Sequence, residues 1–297
     1  MKAAIIVAII LLAVGLVVTV VGICISNFKF DFKPSTQCVE LEEDFNRISV
    51  DVGTSDIKFL PSDTGKSFVE IVSSGNPNLG HNVQIKNGVL SISEQDDRKW
   101  YEHVSIGWSE RSVTVYLATA DFEALTIETS TGYVTVPKEF SFRNAEIEVD
   151  TGDVTFAANV FGKLSVDSDT GKVSVSGSPD CESLEIQSDT GNITVENVKA
   201  SGSVSIESNT GKVTLSGVVA GEMLYAKTFT GNVSLDSCDG STVNITTSTG
   251  DVSGTLLTEK YFDAHSGTGD VTVPSGRNGG ICKIRCSTGN IKISVKQ

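Results

Sequence analysis

Histidine, tryptophan and methionine are scarce in this 297-residue chain, which has three, two and two of them. His81, His103 and His265 lie far apart in the sequence, and none has the neighbouring groups that acid–base or nucleophilic catalysis needs. The six cysteines show neither the spacing of a metal site nor that of a disulfide framework. Cys282 and Cys286 would lie about 13 Å apart along one strand, too far for a disulfide. We therefore expect no catalytic residue, no metal site and no cofactor.

Basic residues are also few, because 23 Lys and Arg stand against 37 Asp and Glu, for a formal net charge of −14. A protein of this charge repels phosphate groups, so we do not expect nucleic-acid binding. Such a charge favours solubility or the attraction of a cationic partner.

A single long apolar run opens the chain. Residues 3–25 contain no charge, and Thr19 is their only clearly polar member. As a helix the run would span roughly 34 Å, enough to cross a bilayer, and it is longer than the roughly 7–15 apolar residues of a cleaved signal peptide. We predict an uncleaved single-pass anchor at 1–26 and a tether at 27–45. The flanking lysines hardly favour either orientation, but such an anchor most often exports its domain, so we predict a cell-membrane protein with an extracytoplasmic C-terminal domain.

Beyond residue 120 the sequence is repetitive. Nine Thr-Gly pairs follow one another at intervals of 19 or 20 residues, and a fixed period of this length indicates stacked supersecondary units. Glycine suits a turn because it adopts positive φ without steric cost. We therefore assign a structural role in the turn to nine glycines: Gly132, Gly152, Gly171, Gly191, Gly211, Gly231, Gly250, Gly269 and Gly289.

Each repeat contains two short stretches in which apolar and polar residues alternate. In the repeat LEIQSDTGNITV, Leu184 and Ile186 precede the turn, and Ile193 and Val195 follow it. This period of two predicts two half-buried strands per repeat. Such units cannot bury their apolar faces alone, so we predict an all-β chain, a parallel β-solenoid (β-helix) of about nine coils. An antiparallel sandwich is the competing interpretation, but it would not require the same residue classes at nine fixed offsets.

Hydroxyl side chains recur two residues before the turn threonine, for example at Ser168, Ser188 and Thr228. The alternation places this column on the core side of the strand. Because buried polar groups need partners, we predict an internal ladder in which each hydroxyl bonds to the neighbouring coil.

Residues 46–120 carry a less regular version of the pattern. Residues 48–59 occupy the offsets of the repeat, with Ser55 in place of the glycine, and a second degenerate copy surrounds Asn87 and Gly88. We predict an irregular capping β section at 46–120 and the regular solenoid at 121–297. An aromatic segment within the cap could contact a membrane or ligand, or could plug the end of the solenoid; its members are Trp100, Tyr101 and Trp108.

Carboxylates recur at two outward positions, three residues and one residue before the turn threonine. Coils about 4.8 Å apart hold like charges close together, which is unfavourable unless cations or solvent screen them. This pattern indicates either a binding site for a cationic partner, such as a basic peptide or Ca²⁺, or a solubilising surface. We name the two columns the acidic stripe: Glu128, Glu148, Asp167 and Glu207 in the first, and Asp150, Asp169 and Asp189 in the second.

Three Asp-Thr-Gly triplets also match the short signature of aspartic proteases. Those enzymes need two carboxylates that share one proton, whereas this triplet recurs on successive coils and has Asn209 or Phe229 in place of the aspartate in later repeats. We interpret the aspartate as a turn residue. Because the chain has many carboxylates that could line a groove, a carbohydrate-active β-helix enzyme is a remote alternative.

From residue 46 onward the chain resembles the bacterial putative-adhesin family, a domain of unknown function with a β-solenoid fold. The resemblance rests on RISVDVGTSDIKF, GVLSI, SVTVYL and LTIETSTGYVTV with its successors. It implies a membrane-tethered envelope protein with no established catalytic residue, and some relatives are tied to envelope-stress or antimicrobial-peptide responses. The family commonly has proline after the YL-type strand, where this chain has Ala118.

Two functions are consistent with these patterns. The first is a non-catalytic, membrane-anchored adhesin or envelope-stress sensor whose acidic stripe or aromatic segment binds a cationic peptide or another surface ligand. The alternative is a scaffold that self-associates end to end, since Ile291, Ile293 and Val295 form a last strand with no separate cap after it. Lys292 and Lys296 are charges of the kind that blunt such an edge.

Overall fold

The structure, a computed structural model, describes residues 35–73, 78–97, 111–177, 181–276 and 278–296, together with Gly15. The predicted transmembrane helix, apart from Gly15, and the aromatic segment of Trp100, Tyr101 and Trp108 lie outside these residues. Within the described part of the chain, no helix has the length and apolarity needed to cross a bilayer.

The described residues are all-β and form a parallel β-solenoid of about eight turns. Strands one repeat apart pair in parallel, so the predicted all-β parallel solenoid is confirmed, with about eight turns where the sequence predicted about nine, and the sandwich interpretation is wrong. The strands are β1 (Ser35–Glu40), β2 (Arg47–Thr54), β3 (Asp56–Pro61), β4 (Phe68–Ser73), β5 (Leu79–Lys86), β6 (Val89–Asp96), β7 (Ser112–Leu117), β8 (Asp121–Thr131), β9 (Val134–Val136), β10 (Ser141–Thr151), β11 (Val154–Phe156), β12 (Asn159–Val160), β13 (Lys163–Thr170), β14 (Val173–Ser176), β15 (Ser183–Thr190), β16 (Ile193–Glu196), β17 (Lys199–Ala200), β18 (Val204–Thr210), β19 (Val213–Ser216), β20 (Val219–Thr230), β21 (Val233–Thr249), β22 (Val252–Leu256), β23 (Tyr261–Thr268), β24 (Val271–Thr272), β25 (Ile281–Thr288) and β26 (Ile291–Val295).

The strands before the turns form one sheet, and the strands after the turns form the other. In the first sheet β10, β13, β15 and β18 follow one another in register, and in the second β11, β14, β16 and β19 do the same. Short pairings such as β10 with β12 and β17 with β20 make a third side. Equivalent residues of successive repeats therefore form straight columns along the solenoid.

The core lies inside the coils and consists of the inward members of the alternating pattern. Leu184 and Ile186 before the turn, and Ile193 and Val195 after it, are at most 1% exposed. Cys238, on the segment that closes its coil, is fully buried. The inward positions predicted from the period of two are thus confirmed.

The inward hydroxyl column is buried as predicted, but its hydrogen bonds differ between the two halves of the solenoid. Thr228 donates to the carbonyl oxygen of Gly211 (3.1 Å), and Thr247 donates to that of Gly231 (3.0 Å). In the N-terminal half the predicted ladder is absent among the described residues, because five buried hydroxyls have no partner: Ser55, Thr129, Ser168, Ser188 and Ser208.

The turn glycines stack directly on one another along the solenoid. Gly191 has a φ of 157°, in the region that favours glycine, and a Cβ added to it would overlap the carbonyl oxygen of Gly171. Gly132 does not have a positive φ, but a Cβ there would overlap the carbonyl oxygen of Ser55. Close approach of neighbouring turns thus requires glycine even where the backbone angle does not.

A second ladder, which sequence reasoning missed, links the outer sides of the turns. The side chain directly after Thr-Gly accepts the backbone N–H of the equivalent residue in the next coil, as Asp153 does from Lys172 (2.8 Å) and Asn192 from Lys212 (2.9 Å). Lysine side chains cannot accept hydrogen bonds, so Lys172 and Lys212 interrupt the ladder. Its signal in the sequence is the recurrent Asp or Asn directly after Thr-Gly.

Antiparallel strands close the N-terminal end. The strands β2 and β3 stack on β8 and β9 as a degenerate coil with Ser55 at the turn, and β6 and β7 continue the two sheets in parallel. Beyond them β5 pairs antiparallel with β6, β4 pairs antiparallel with β7, and β1 pairs antiparallel with β4. The coil pattern therefore ends before this end of the solenoid is reached.

At the C-terminal end the last repeat in sequence is not the last coil in space. The strand β25 lies between β21 and β23, and β26 lies between β22 and β24. Two side-chain bonds follow the same order, since Cys286 donates to the carbonyl oxygen of Gly250 (3.2 Å) and Ser266 donates to that of Gly289 (2.7 Å). The expectation that Ile291–Val295 form the uncapped edge is therefore wrong, and β23 and β24 occupy that position.

A buried ion pair lies where the chain passes the position next to β21, which β25 fills later, and continues to β23. Lys260, directly before β23, is 4% exposed, and its Nζ lies 2.7 Å from Oδ1 of Asp239, which is 7% exposed. The same Nζ donates to Oγ1 of Thr258 (2.8 Å), and the Asp239 carboxylate also accepts the N–H of Gly240 (2.8 Å). Burial alone raises the pKa of Asp239, but these hydrogen bonds outweigh it and hold the pKa below its ordinary value. The ion pair joins β21 to the start of the displaced coil.

Candidate functional site

The first column of the acidic stripe forms a continuous row across neighbouring strands. Glu128 on β8 pairs in register with Glu148 on β10, which pairs with Asp167 on β13. Asp51 on β2 adjoins Glu128 from the other side, so exposed carboxylates follow one another at the parallel-strand spacing of about 4.8 Å. Sequence reasoning missed Asp51, although it stands three residues before Thr54, at the same offset as the others.

The row ends where amide and ammonium groups replace carboxylates in the column. Asp167 is followed by Gln187 and then by Glu207. The carboxylate of Glu207 accepts a hydrogen bond from Nζ of Lys227, the next residue in the column, at 3.0 Å. Glu207, predicted as part of the stripe, is thus a member of an ion pair and is separated from the unpaired row by Gln187.

The second column of the stripe lies at the turns beside the row. Asp189 accepts a hydrogen bond from the Nδ2 of Asn209 in the next coil at 2.6 Å. Asp150 and Asp169 precede the threonines of two earlier turns, one aspartate to each coil. The Asp-Thr-Gly triplets therefore occupy successive turns on one side of the solenoid, in the repeating arrangement predicted for a turn residue.

Six exposed carboxylates of the stripe and its extension lack a basic partner among the described residues and, unlike Asp189, also lack a side-chain amide donor there. Among the described residues, no lysine or arginine nitrogen lies within 4.0 Å of their oxygens. Within the described part of the chain, no contact ion pair neutralises their charges. We call this set the acidic face: Asp51, Glu128, Glu148, Asp150, Asp167 and Asp169.

Desolvation and crowding raise the pKa of two members of the acidic face. Desolvation and then the neighbouring charges, first of all Glu128 and Asp167, raise the pKa of Glu148. Desolvation and neighbouring carboxylates likewise raise the pKa of Asp167. Glu185 shows the opposite shift, because a hydrogen bond from Lys163, whose Nζ lies at 2.7 Å, lowers its pKa. The pKa values of Glu148 and Asp167 are thus shifted in the direction opposite to that of the paired Glu185.

The arrangement is suited to attracting positive charge over an extended surface. Within the described residues, no group of three or more His, Cys, Asp or Glu side chains could hold a metal ion. The row carboxylates instead project from one side of a parallel sheet, one to each strand. This geometry fits a partner with several positive charges better than it fits a single chelated cation.

The sequence matches the profile of one known protein family over most of its length. The profile of the Toastrack DUF4097 family matches residues 45–209 and 178–297, which together cover most of the chain. The chain belongs to this family. The resemblance to a putative-adhesin family of unknown function is thereby confirmed. No curated protein matches the sequence.

Solved structures similar to this Toastrack DUF4097 chain share its fold. A putative adhesin from Parabacteroides distasonis ATCC 8503 is 16% identical, with 89% of this chain and 98% of that chain covered and a TM-score of 0.57. A putative lipid binding protein from the same strain is 15% identical, with the same coverage and a TM-score of 0.53. At these identities the likeness shows the fold alone.

Proposed function

We propose that the chain is a non-catalytic binding module of a bacterial cell envelope, anchored by its N-terminal apolar run, and that its acidic face binds a cationic peptide or a similarly basic surface ligand. The observation that carries this proposal is the unpaired row of Asp51, Glu128, Glu148 and Asp167. The names of the structural neighbours, adhesin and lipid binding protein, support a binding role.

The contrast within one column favours a cationic partner over a purely solubilising surface. Further along the same column Glu207 is neutralised by Lys227, so the fold can accommodate a lysine at this position. The row instead keeps adjacent like charges, which destabilise the folded chain. Desolvation and then the row neighbours Glu128 and Asp167 raise the pKa of Glu148. A bound cationic group would remove this repulsion, so the relief of the repulsion on binding contributes to the affinity.

The proposal is tested by titrating the purified full chain in detergent micelles with a fluorescent oligolysine peptide. We expect Glu128→Gln with Glu148→Gln to weaken binding by roughly tenfold, since two contacts of somewhat under 1 kcal/mol each are removed. Added salt should weaken binding to the unmodified chain, because surface charges are screened.

The matched control removes the same charge elsewhere. Glu139 and Glu196 are exposed and lie outside the acidic face, so Glu139→Gln with Glu196→Gln should leave affinity nearly unchanged. Equal losses in the two double variants would mean that only net charge matters and would reduce the acidic face to a solubilising surface.

An outward orientation is part of the proposal, because a surface ligand must reach the solenoid. Protease digestion of the solenoid in intact cells, compared with lysed cells, tests it. Digestion in intact cells agrees with an extracytoplasmic domain. Protection until lysis would place the domain in the cytoplasm and would contradict the envelope-ligand role.

A further inference from the structure

The two ends of the solenoid differ in how their cores are covered. The N-terminal end is covered by the antiparallel strands β1, β4 and β5. At the other end β23 pairs only with β25, and β24 only with β26, among the described residues. The inward side chains of this last coil, Phe262, Ala264 and Val273, are only partly buried, whereas their counterparts in interior coils are at most a few per cent exposed.

The free edge of β23 presents unpaired backbone groups. The N–H of Tyr261 bonds to the carbonyl oxygen of Gly280 (2.9 Å), so residues 261, 263 and 265 direct their backbone groups toward β25. In a parallel ladder the residues between them point the other way. The N–H and C=O groups of Phe262, Ala264 and Ser266 therefore face outward along the solenoid axis, and such a row is a template for another strand.

We propose that this edge pairs with the same edge of a second copy of the chain, antiparallel, about a two-fold axis through Ala264. Ala264 would then face its own counterpart, and Phe262 would face Ser266 of the partner subunit. The three residues whose backbone groups face outward would all exchange hydrogen bonds with the partner, as the hydrogen-bonded pairs of an antiparallel ladder do. The half-buried side chains of the two end coils would cover each other.

The same register also sets hydrogen-bonding side chains opposite each other. Asp263, whose Oδ2 already accepts a hydrogen bond from Arg285 of its own chain, would lie opposite the partner subunit's His265 at the non-hydrogen-bonded positions where side chains come closest. The imidazole N–H would then donate to the other carboxylate oxygen of Asp263. A symmetric pairing produces this contact twice. Centring the axis on Asp263 instead would keep hydrogen-bonded pairs but would set the two Asp263 carboxylates opposite each other, which is unfavourable.

Charge distribution along the chain also favours contact at this end. Residues 256–297 carry six Lys and Arg and three Asp and Glu, whereas the whole chain carries 23 and 37. The acidic face lies in the N-terminal half. Two copies joined at β23 would therefore meet at their least acidic ends and keep their acidic faces far apart, which limits repulsion.

The architecture favours a closed pair over the filament considered as a scaffold. A filament joins unlike ends, and its joint would have to continue the parallel coils. The N-terminal end presents antiparallel strands instead. The edge of β23 therefore has a matching surface in its own two-fold copy. This inference does not depend on the acidic face binding a ligand.

Disulfide cross-linking of the full chain in detergent micelles tests the register. Cys24→Ser and Cys38→Ser first remove the thiol of the N-terminal run and the exposed thiol, while the other cysteines are buried. Asp263→Cys with His265→Cys is expected to give a covalent dimer under mild oxidation on a non-reducing gel. The matched control, Tyr261→Cys with Asp263→Cys, places two thiols on the same strand face but out of register, and it should remain monomeric.

Two results would overturn the proposal. Equal dimer yields in the two double variants would show random collision, and a ladder of larger species would show open-ended assembly. If the first variant gives no dimer, sedimentation of the unmodified full chain in density-matched detergent decides between disturbed folding and absence of the pair. A strict monomer at the highest attainable concentration would refute the pair. That outcome includes the case in which a segment of a different protein covers the edge.

Discussion

The N-terminal and C-terminal halves of the solenoid have the same columns but different partners within them. Inside the coils, the Thr129 hydroxyl is buried without a partner, while Thr228 donates to the carbonyl oxygen of Gly211. Outside, Glu148 lies between carboxylates, while Glu207 pairs with Lys227. A repeat pattern therefore specifies where a side chain lies without specifying how well it is satisfied.

Both kinds of unsatisfied group occur in the half that carries the acidic face. Natural sequences depart from local rules mainly at functional or strained sites. The unpaired carboxylates fit the functional reading because they are exposed and can be neutralised by a partner. The unpaired hydroxyls are interior and out of reach of such a partner, so they are a stability cost of this half. The C-terminal half should be the more tightly bonded one.

The largest effect is expected from Lys260, which supports the displaced coil of the C-terminal half. Lys260→Ala would leave Asp239 buried without its cation, and this should lower the free energy of unfolding by about 3–5 kcal/mol. The urea midpoint of the purified full chain measures the loss.

The control for this change is an exposed ion pair of the same half. In Lys227→Ala the partner Glu207 stays in contact with water, since both side chains are more than 40% exposed, so the loss should stay below about 1 kcal/mol. Similar losses in the two variants would show that the buried pair does not hold the coil order.

One substitution made in both halves should have effects of opposite sign. Thr228→Val leaves the carbonyl oxygen of Gly211 without its donor and should lower the free energy of unfolding by about 1–2 kcal/mol. Thr129→Val removes a buried hydroxyl that has no partner and should raise it by up to about 1 kcal/mol. The urea midpoints of the two variants measure both changes in the free energy of unfolding. Equal losses would mean that Thr129 is hydrogen-bonded after all and that the two halves are alike inside.

The fold class is predictable because each role depends only on an offset within the repeat. Inward positions follow from the period of two, and the turn glycines follow from the nine Thr-Gly pairs. The acidic stripe is likewise visible as a column. The ion pair of Glu207 could also have been predicted from the sequence, because Lys227 stands at the same offset one repeat later.

The order of the last coils is not predictable from offsets. The strands β23 and β25 present equivalent inward residues, Phe262 beside Cys282 for example, so either could stack on β21. What distinguishes them lies outside the repeats, in the buried contact of Lys260 with Asp239. A second non-local feature is the close passage of the return segment, where a Cβ at Gly280 would overlap a backbone carbonyl.

The smallest expected effect is the difference between two glutamates, one that lies among carboxylates and one that is paired with a lysine. Desolvation and then like charges raise the pKa of Glu148 in the folded chain. Its ionisation therefore destabilises the folded state at pH values above that pKa and has no effect below the pKa of the unfolded chain. Glu148→Gln should therefore stabilise the fold by a few tenths of a kcal/mol at neutral pH. Glu185 has a lowered pKa because Lys163 donates to it, and its contribution is present at neutral pH and lost as the pH falls through the folded value.

Glu185→Gln, the matched variant, should consequently destabilise the fold by a similar small amount at neutral pH. Each difference should vanish in acid once the pH lies below the pKa of that glutamate in both states, which for Glu185 means below its lowered folded value. Both should also shrink in high salt. Urea midpoints of the two variants, measured against pH, distinguish the cases. Shifts of the same sign at neutral pH would mean that Glu148 is neutralised in the folded chain, and the acidic face would then have no unpaired charge to offer a partner.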